Sequence, residues 1–371
     1  MKKVFFPFFC FLFVLSFIIL LYPLVSKADV TVASWGGAYT ESQIKAYRNT
    51  YNDPDSIIFE KYYGLLSQVR KQVESRIISW DIVDVTNEQA ITGCDEGLFE
   101  DISTEYKNFP TASDGASIIE DVANSGVTNF PPCCAPQIFW SYVVFYDPDA
   151  FSDLKPSTLA DFFDTTKFPG KRGVPAWAEA IVEMALVADG VGVGGVYKVL
   201  ENQTGALDRA FAKLDTIKDV VVFWDGDAEP LELVKSGEVA MSIAYNSRVG
   251  ADALYEDGNF EYIWEGQVIH QEYICLTTGS PNRDEALDFM KWASAPEQQA
   301  GQAKYGTYGP MRASAIDLIK AGEPWFHTGV NVMQHMPNTP ERLKISVMAD
   351  PVWWFNNGAE IYDRYDVWMD N

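Results

Sequence analysis

The stretch "IFWSYVVFYDP" (residues 138–148) decides the fold. It reads as one long extended segment that ends at the Asp147-Pro148 turn. A second extended run, "QEYICLTTG" (residues 271–279), comes more than a hundred residues later. The chain between them has its own strands and helices. A chain that leaves one lobe by the first run, builds a second lobe and returns by the other leaves a cleft between the two. Strand ends and helix starts of an α/β protein face such a cleft, and ligands bind there.

The flanking sequence fits this plan. "VTVASW", "SIIFE" and "DIVDV" read as strands. "TESQIKAYRNTY", with Thr40 as N-cap, "LLSQVRKQVESRI" and "NEQAITGC" read as helices between and after them. This alternation predicts a mostly parallel sheet covered by helices. Beyond residue 148, "DVVVFW" and "VAMSIAY" are strands, and "AEAIVEMALVADG" and "EPLELVKSG" are helices. Helices dominate after "NRDEALDFMKWA".

The first residues read as a processing signal. Lys2 and Lys3 precede an apolar stretch over residues 4–25, and "SKA" places small residues before a cut after Ala28. An uncleaved anchor is the rival, because the stretch is long enough to span a bilayer. The 371 residues carry 28 Lys+Arg against 52 Asp+Glu, a net charge of −24. Such a surface repels nucleic acid and anionic lipid.

Four cysteines follow the signal. In an oxidising compartment they predict a disulfide from Cys94 to Cys134 or Cys133, with Cys134 preferred. Cys275, in the apolar run "YICLTT", is then a buried free thiol. The spacing does not suit zinc, and His270, His327 and His335 are not clustered with the cysteines, so no metal is expected. Gly190, Gly192 and Gly195 match G-x-G-x-x-G but follow a helix, so they read as a helix stop and no cofactor is expected. No G-x-S-x-G, H-E-x-x-H or phosphate loop is present, which argues against an enzyme.

The blocks "SWGGAYTESQ", "QVESRIISWDIVDV", "GCDEGLFEDI", "FPGKRG", "ALVADGV", "AFAKLDTIKDVVVFWDGDAEP", "SGEVAMSIAYNSR" and "YGPMR" occur in this order across nearly the whole chain. The pattern resembles periplasmic spermidine/putrescine-binding proteins of ABC importers, within the extracellular solute-binding superfamily. The resemblance implies a two-lobed periplasmic binding protein (type II) with a hinged inter-lobe cleft. It also implies a monomeric receptor that hands a small cationic amine to an inner-membrane permease. An amino acid or other nitrogenous solute is the alternative ligand. The expected division is a signal over 1–28, a first lobe over 29–137 and 271–306, and a second lobe over 138–270. The helical segment 307–371 is expected to pack mainly on the second lobe.

Position by position, the resemblance implies ligand contacts at Trp35, Tyr39, Thr86, Glu88, Tyr245, Glu272, Tyr308 and Trp354 or its neighbour. An acid pair of the polyamine binders falls on Trp177 and Ala180 here, with Glu179 and Glu183 close by, a departure that weakens a long, doubly anchored polyamine and leaves a shorter diamine or another aminated solute open. Trp224 is a further candidate. The chemistry is consistent: ammonium groups need carboxylates when buried, and aromatic faces attract both their charge and their methylenes. Each residue also has a structural reading. Trp35 and Tyr245 could be packing, Tyr39 a surface aromatic and Glu88 an acid in the first turn of a helix. Asp225 and Asp227 read as caps ahead of Pro230.

Overall fold

The computed structural model describes residues 29–151, 154–256, 258–322 and 324–370. The signal expected over 1–28, with its cut after Ala28, lies outside the described residues. The first strands are β1 (Val30–Ser34), β2 (Ile57–Lys61) and β3 (Ile82–Thr86). β1 lies between β2 and β3 and runs parallel to both. Its alternate neighbours Val30 and Val32 are buried, as the pattern predicts.

The first crossing is β4 (Cys134–Tyr146). β5 (Arg172–Pro175), β6 (Val221–Trp224) and β7 (Met241–Tyr245) follow, with β5 parallel to both β6 and β7. The return crossing is a single strand, β8 (Glu261–Leu276). It merges "FEYIWEG" with "QEYICLTTG". Gly266 marks the join at φ 72°, and a Cβ there would come 2.4 Å from Leu159. The order is β2-β1-β3-β8-β4-β7-β5-β6, with β4 and β8 antiparallel at the centre. Two-residue strands β9 (Gly309–Pro310) and β10 (Val347–Met348) pair with β4 and β8.

Two large cores lie along this shared sheet. One contains Tyr47, Val83, Phe99, Ile274 and Phe289. The other contains Phe162, Val174, Leu186, Trp224 and Ile263. Two lobes therefore share their central strand pair, and β4 and β8 cross from one to the other.

The segment after Gly306 divides its contacts. Helix Ala313–Ala321 forms a small cluster with helix Pro296–Gly306, through Ala300, Ala303, Ile316 and Ile319. The buried Arg312 Nε donates to Asp121 Oδ2 at 2.5 Å and anchors that helix near the first lobe. Helix Pro351–Asp370 instead gives Trp353, Trp354, Ile361, Tyr365 and Trp368 to the second core.

The cysteines pair differently from the expectation. Cys94 joins Cys133, and Cys134 joins Cys275. Register explains the second pair: Cys134 opens β4 directly opposite Cys275 on antiparallel β8, with Cα atoms 4.0 Å apart. Cys134 is thereby committed, and Cys133 is left for Cys94. Cys275 is not a free thiol.

Candidate functional site

The site begins where β1 ends. Gly36 and Gly37 have φ of 85° and 56°, a region that favours glycine. A Cβ on Gly36 would also lie 2.9 Å from the Lys61 side chain. The helix Gly37–Gln43 starts here with Gly36 as its N-cap, so Thr40 is inside the helix rather than at its cap. The Thr40 hydroxyl accepts from Gly36 N at 2.8 Å and lies 2.6 Å from the Ser34 hydroxyl. This fixes the turn that presents Trp35.

Trp35 leans on Tyr62, with ring centroids 5.1 Å apart. Gly64 makes room behind it, since a Cβ there would come 2.7 Å from the indole. So held, Trp35 Nε1 donates to Glu272 Oε2 at 3.0 Å. Glu272 sits on β8 directly opposite Thr86 of β3. It is 8% exposed. Burial, and then the charge of Asp84, push its carboxyl up to about 8.

Asp84 is fully buried beneath, and burial pushes it up to about 7. Gln43 Nε2 donates to both its oxygens at 3.0 Å, and Gln43 Oε1 accepts from Ser34 Oγ at 2.7 Å. Tyr39 donates to Gln137 Oε1 and meets Tyr308 edge-on at 5.1 Å.

The second lobe supplies the facing wall. Tyr245 ends β7, and Ser247 and Arg248 open the helix Asn246–Tyr255 just after it. Tyr245 and Tyr142 hydroxyls are 3.2 Å apart. Arg248 Nη2 donates to Asp227 Oδ2 at 2.6 Å. Asn246 is buried below, accepting from Ser141 N at 2.8 Å and donating to Thr307 O at 3.1 Å. It ties β4 to the loop that carries Tyr308.

These groups enclose a cavity of about 300 Å³, lined by Trp35, Gly36, Tyr39, Trp140, Asp227, Tyr245, Ser247, Arg248, Glu272 and Tyr308. It lies at the small end of ordinary ligand sites. Five of the residues singled out in the sequence meet here: Trp35, Tyr39, Tyr245, Glu272 and Tyr308. Thr86, Glu88 and Trp354 line a separate cavity of about 140 Å³, together with Asn87, Trp140, Glu179, His270, Gln271, Ala349 and Pro351. Burial and the nearby charge of Glu179 raise the pKa of Glu88. Thr86 also caps the helix Asn87–Asp95, in a capping box with Gln89.

Trp177 and Trp224 line neither cavity. Trp177 packs edge-on against Trp224 at 4.9 Å, and its Nε1 donates to Tyr142 at 3.1 Å. They back the wall that Tyr142 and Tyr245 form. Glu183, on the helix Ile181–Ala188, lines neither cavity: it is buried and accepts from Trp354 Nε1 at 2.6 Å and Tyr197 at 2.9 Å.

Sequence reasoning missed Trp140, His270, Ser247 and Arg248, and it noted Glu179 only as an acid close to the departed pair at Trp177 and Ala180. It also misread Asp227, which pairs with Arg248; Glu229 instead accepts from the backbone N–H of Asp225 at 3.0 Å. A signal for Arg248 was present, because it lies three residues past Tyr245 where a helix begins at a strand end.

The profile described as bacterial extracellular solute-binding protein matches residues 44–333, and the chain belongs to that family. The gamma-aminobutyric acid-binding protein of Pseudomonas aeruginosa is 31% identical over 342 residues, covering 92% of this chain and 90% of that one. Among solved structures, an ABC transporter substrate-binding protein from Bradyrhizobium japonicum USDA 110 superposes with TM-score 0.72 at 26% identity. It covers 92% of this chain and 99% of its own. The Atu4243-GABA receptor superposes at 0.70, also at 26% identity, covering 92% and 97%. The protein is thus a substrate-binding receptor of an ABC transporter with the two-lobed α/β fold. No helix among the described residues is long and apolar enough to cross a membrane.

Proposed function

We propose that this receptor captures a short ω-amino acid of the size of γ-aminobutyrate in the periplasm and delivers it to an ABC permease. One observation carries the reading: Arg248 and Glu272 share one aromatic-walled cavity. A linear zwitterion fits such a site with its ammonium at Glu272 and its carboxylate at Arg248. Ionised partners on both ends make charge-assisted hydrogen bonds, roughly twice as strong as neutral ones. The methylenes between them lie against Trp35, Tyr39, Tyr245 and Tyr308.

A diamine is served less well, because one ammonium would face the Arg248 guanidinium. Arg248 is already paired with Asp227, but that pair is solvent-exposed and contributes little. A guanidinium has five donors, so it can bind Asp227 and a ligand carboxylate together. The names of the Pseudomonas relative and the Atu4243 receptor point the same way.

Calorimetric titration with γ-aminobutyrate and with putrescine tests the reading. Tight binding of the amino acid and weak binding of the diamine is the expected result. The reverse order returns the ligand to the polyamine class.

A further inference from the structure

We propose that the stacked Trp140–His270 pair sets the length of ligand the receptor accepts, by separating the ligand cavity from an acidic second compartment that takes the ammonium of a longer chain once the pair is opened. This rests on the reading of Glu272 as the ammonium partner.

Trp140 of β4 and His270 of β8 are register partners on the two crossing strands. Their rings stack with centroids 4.2 Å apart and planes 5° from parallel. Trp140 is also held edge-on by Tyr142 at 5.3 Å and Tyr245 at 5.4 Å. It lines both cavities, while Glu272 borders only the larger and Glu88 and Glu179 only the smaller. His270 and Glu272 share one face of β8, about 7 Å apart along the strand. The ring pair therefore stands just beyond the carboxylate that receives the ligand's ammonium.

The chemistry on the far side matches a cation. Glu88 comes from the first lobe and Glu179, which accepts from the Tyr362 hydroxyl at 2.5 Å, from the second, and the charge of Glu179 raises the cost of ionising Glu88. An ammonium between them would relieve that repulsion. Burial holds the His270 imidazole down to about 3, so the wall is uncharged at ordinary pH and acts by shape. A chain that ends at Glu272 fits in front of the rings. A longer chain must displace them to reach Glu88 and Glu179.

The test compares γ-aminobutyrate with ε-aminocaproate and longer homologues, and putrescine with spermidine, by calorimetry. Wild type should favour the short member of the series by about a hundredfold, as methylene discrimination allows. Trp140→Ala should weaken the short ligand and reverse the order of preference. Glu88→Gln in that background should cancel the gain for the long ligand. Trp140→Phe and His270→Ala, which disturb the strands less, should shift the preference part of the way.

Equal binding of long and short chains by wild type overturns the proposal, and so does an unchanged order in all three wall variants. A wild type that binds diamines but no amino acid overturns the ligand reading alone, and the filter is then judged on putrescine against spermidine. If neither series binds wild type, long chains binding Trp140→Ala support the filter, and no binding there overturns it.

Discussion

The two walls of the ligand cavity are built by different means. The first-lobe wall is a buried polar network, in which Ser34, Gln43 and Asp84 lie beneath Glu272 and Trp35. The second-lobe wall is a layer of rings, Tyr245 on Tyr142 and Trp177 on Trp224, with one charged pair at its rim. A low-dielectric network holds its carboxylate in one place, where an unpaired ion is costly. A ring layer with an exposed arginine can adjust. On the proposed reading, the first lobe fixes where the ammonium goes, and the second adapts to the rest of the ligand.

The sharpest way to break this comparison is Glu272→Gln. It should lower affinity for γ-aminobutyrate by several hundredfold, since breaking a buried pair costs about 3–5 kcal/mol. The melting temperature at neutral pH should hold or rise, because a buried acid with a raised pKa is removed. Wild-type affinity in calorimetry would mean the ammonium is bound elsewhere.

Arg248→Met should come next. A hydrogen bond to a charged group contributes about 1.5–3 kcal/mol, so the amino acid should bind roughly ten- to a hundredfold more weakly. Putrescine binding should not suffer. Equal losses for both ligands would make Arg248 a support for the wall rather than a carboxylate partner.

Changing pH probes the network without a mutation. Glu272 and Asp84 bind protons more tightly in the folded chain, with values raised to about 8 and about 7. The folded state therefore holds more protons than the unfolded one from the ordinary carboxylate range up to these values. Stability of the empty protein should fall as pH rises through that window. Ammonium binding needs Glu272 ionised, so affinity should rise over the same window, by at most about tenfold per unit. Titration in buffers of different ionisation enthalpy should detect protons released on binding below about pH 8. No release would place the ammonium away from Glu272.

The smallest effect belongs to Trp35→Ala. An aromatic–cation contact is worth about 0.5–2 kcal/mol, so affinity should fall by a few-fold to about thirtyfold. Trp35 also packs on Tyr62. A fall in melting temperature larger than the fall in affinity warrants would assign it chiefly to the core.

The alternation of strands and helices was legible in the sequence because it rests on local periodicity. So were Trp35 and Tyr39, which follow the end of β1, and Tyr245, which ends β7. Trp140 was hidden in an apolar run, and only its register with His270 across the two crossings gives it a place. The same register decides between Cys133 and Cys134, which spacing along the chain cannot distinguish. Glu88 and Glu272 looked like members of one site, yet they line different cavities, and no local pattern reports the stacking of two rings 130 positions apart.

The bond between Cys134 and Cys275 has a topological consequence. It closes a loop with a sequence separation of 141 that contains β5, β6 and β7, so the second lobe hangs from the first as a covalent ring. A single protease cut within that ring leaves no loose fragment. The nicked receptor would migrate as one species until a reductant is added, and then separate into two. A chain built this way can lose backbone continuity in the lobe that adapts to the ligand and still keep both of its crossing strands joined to the lobe that holds the carboxylate.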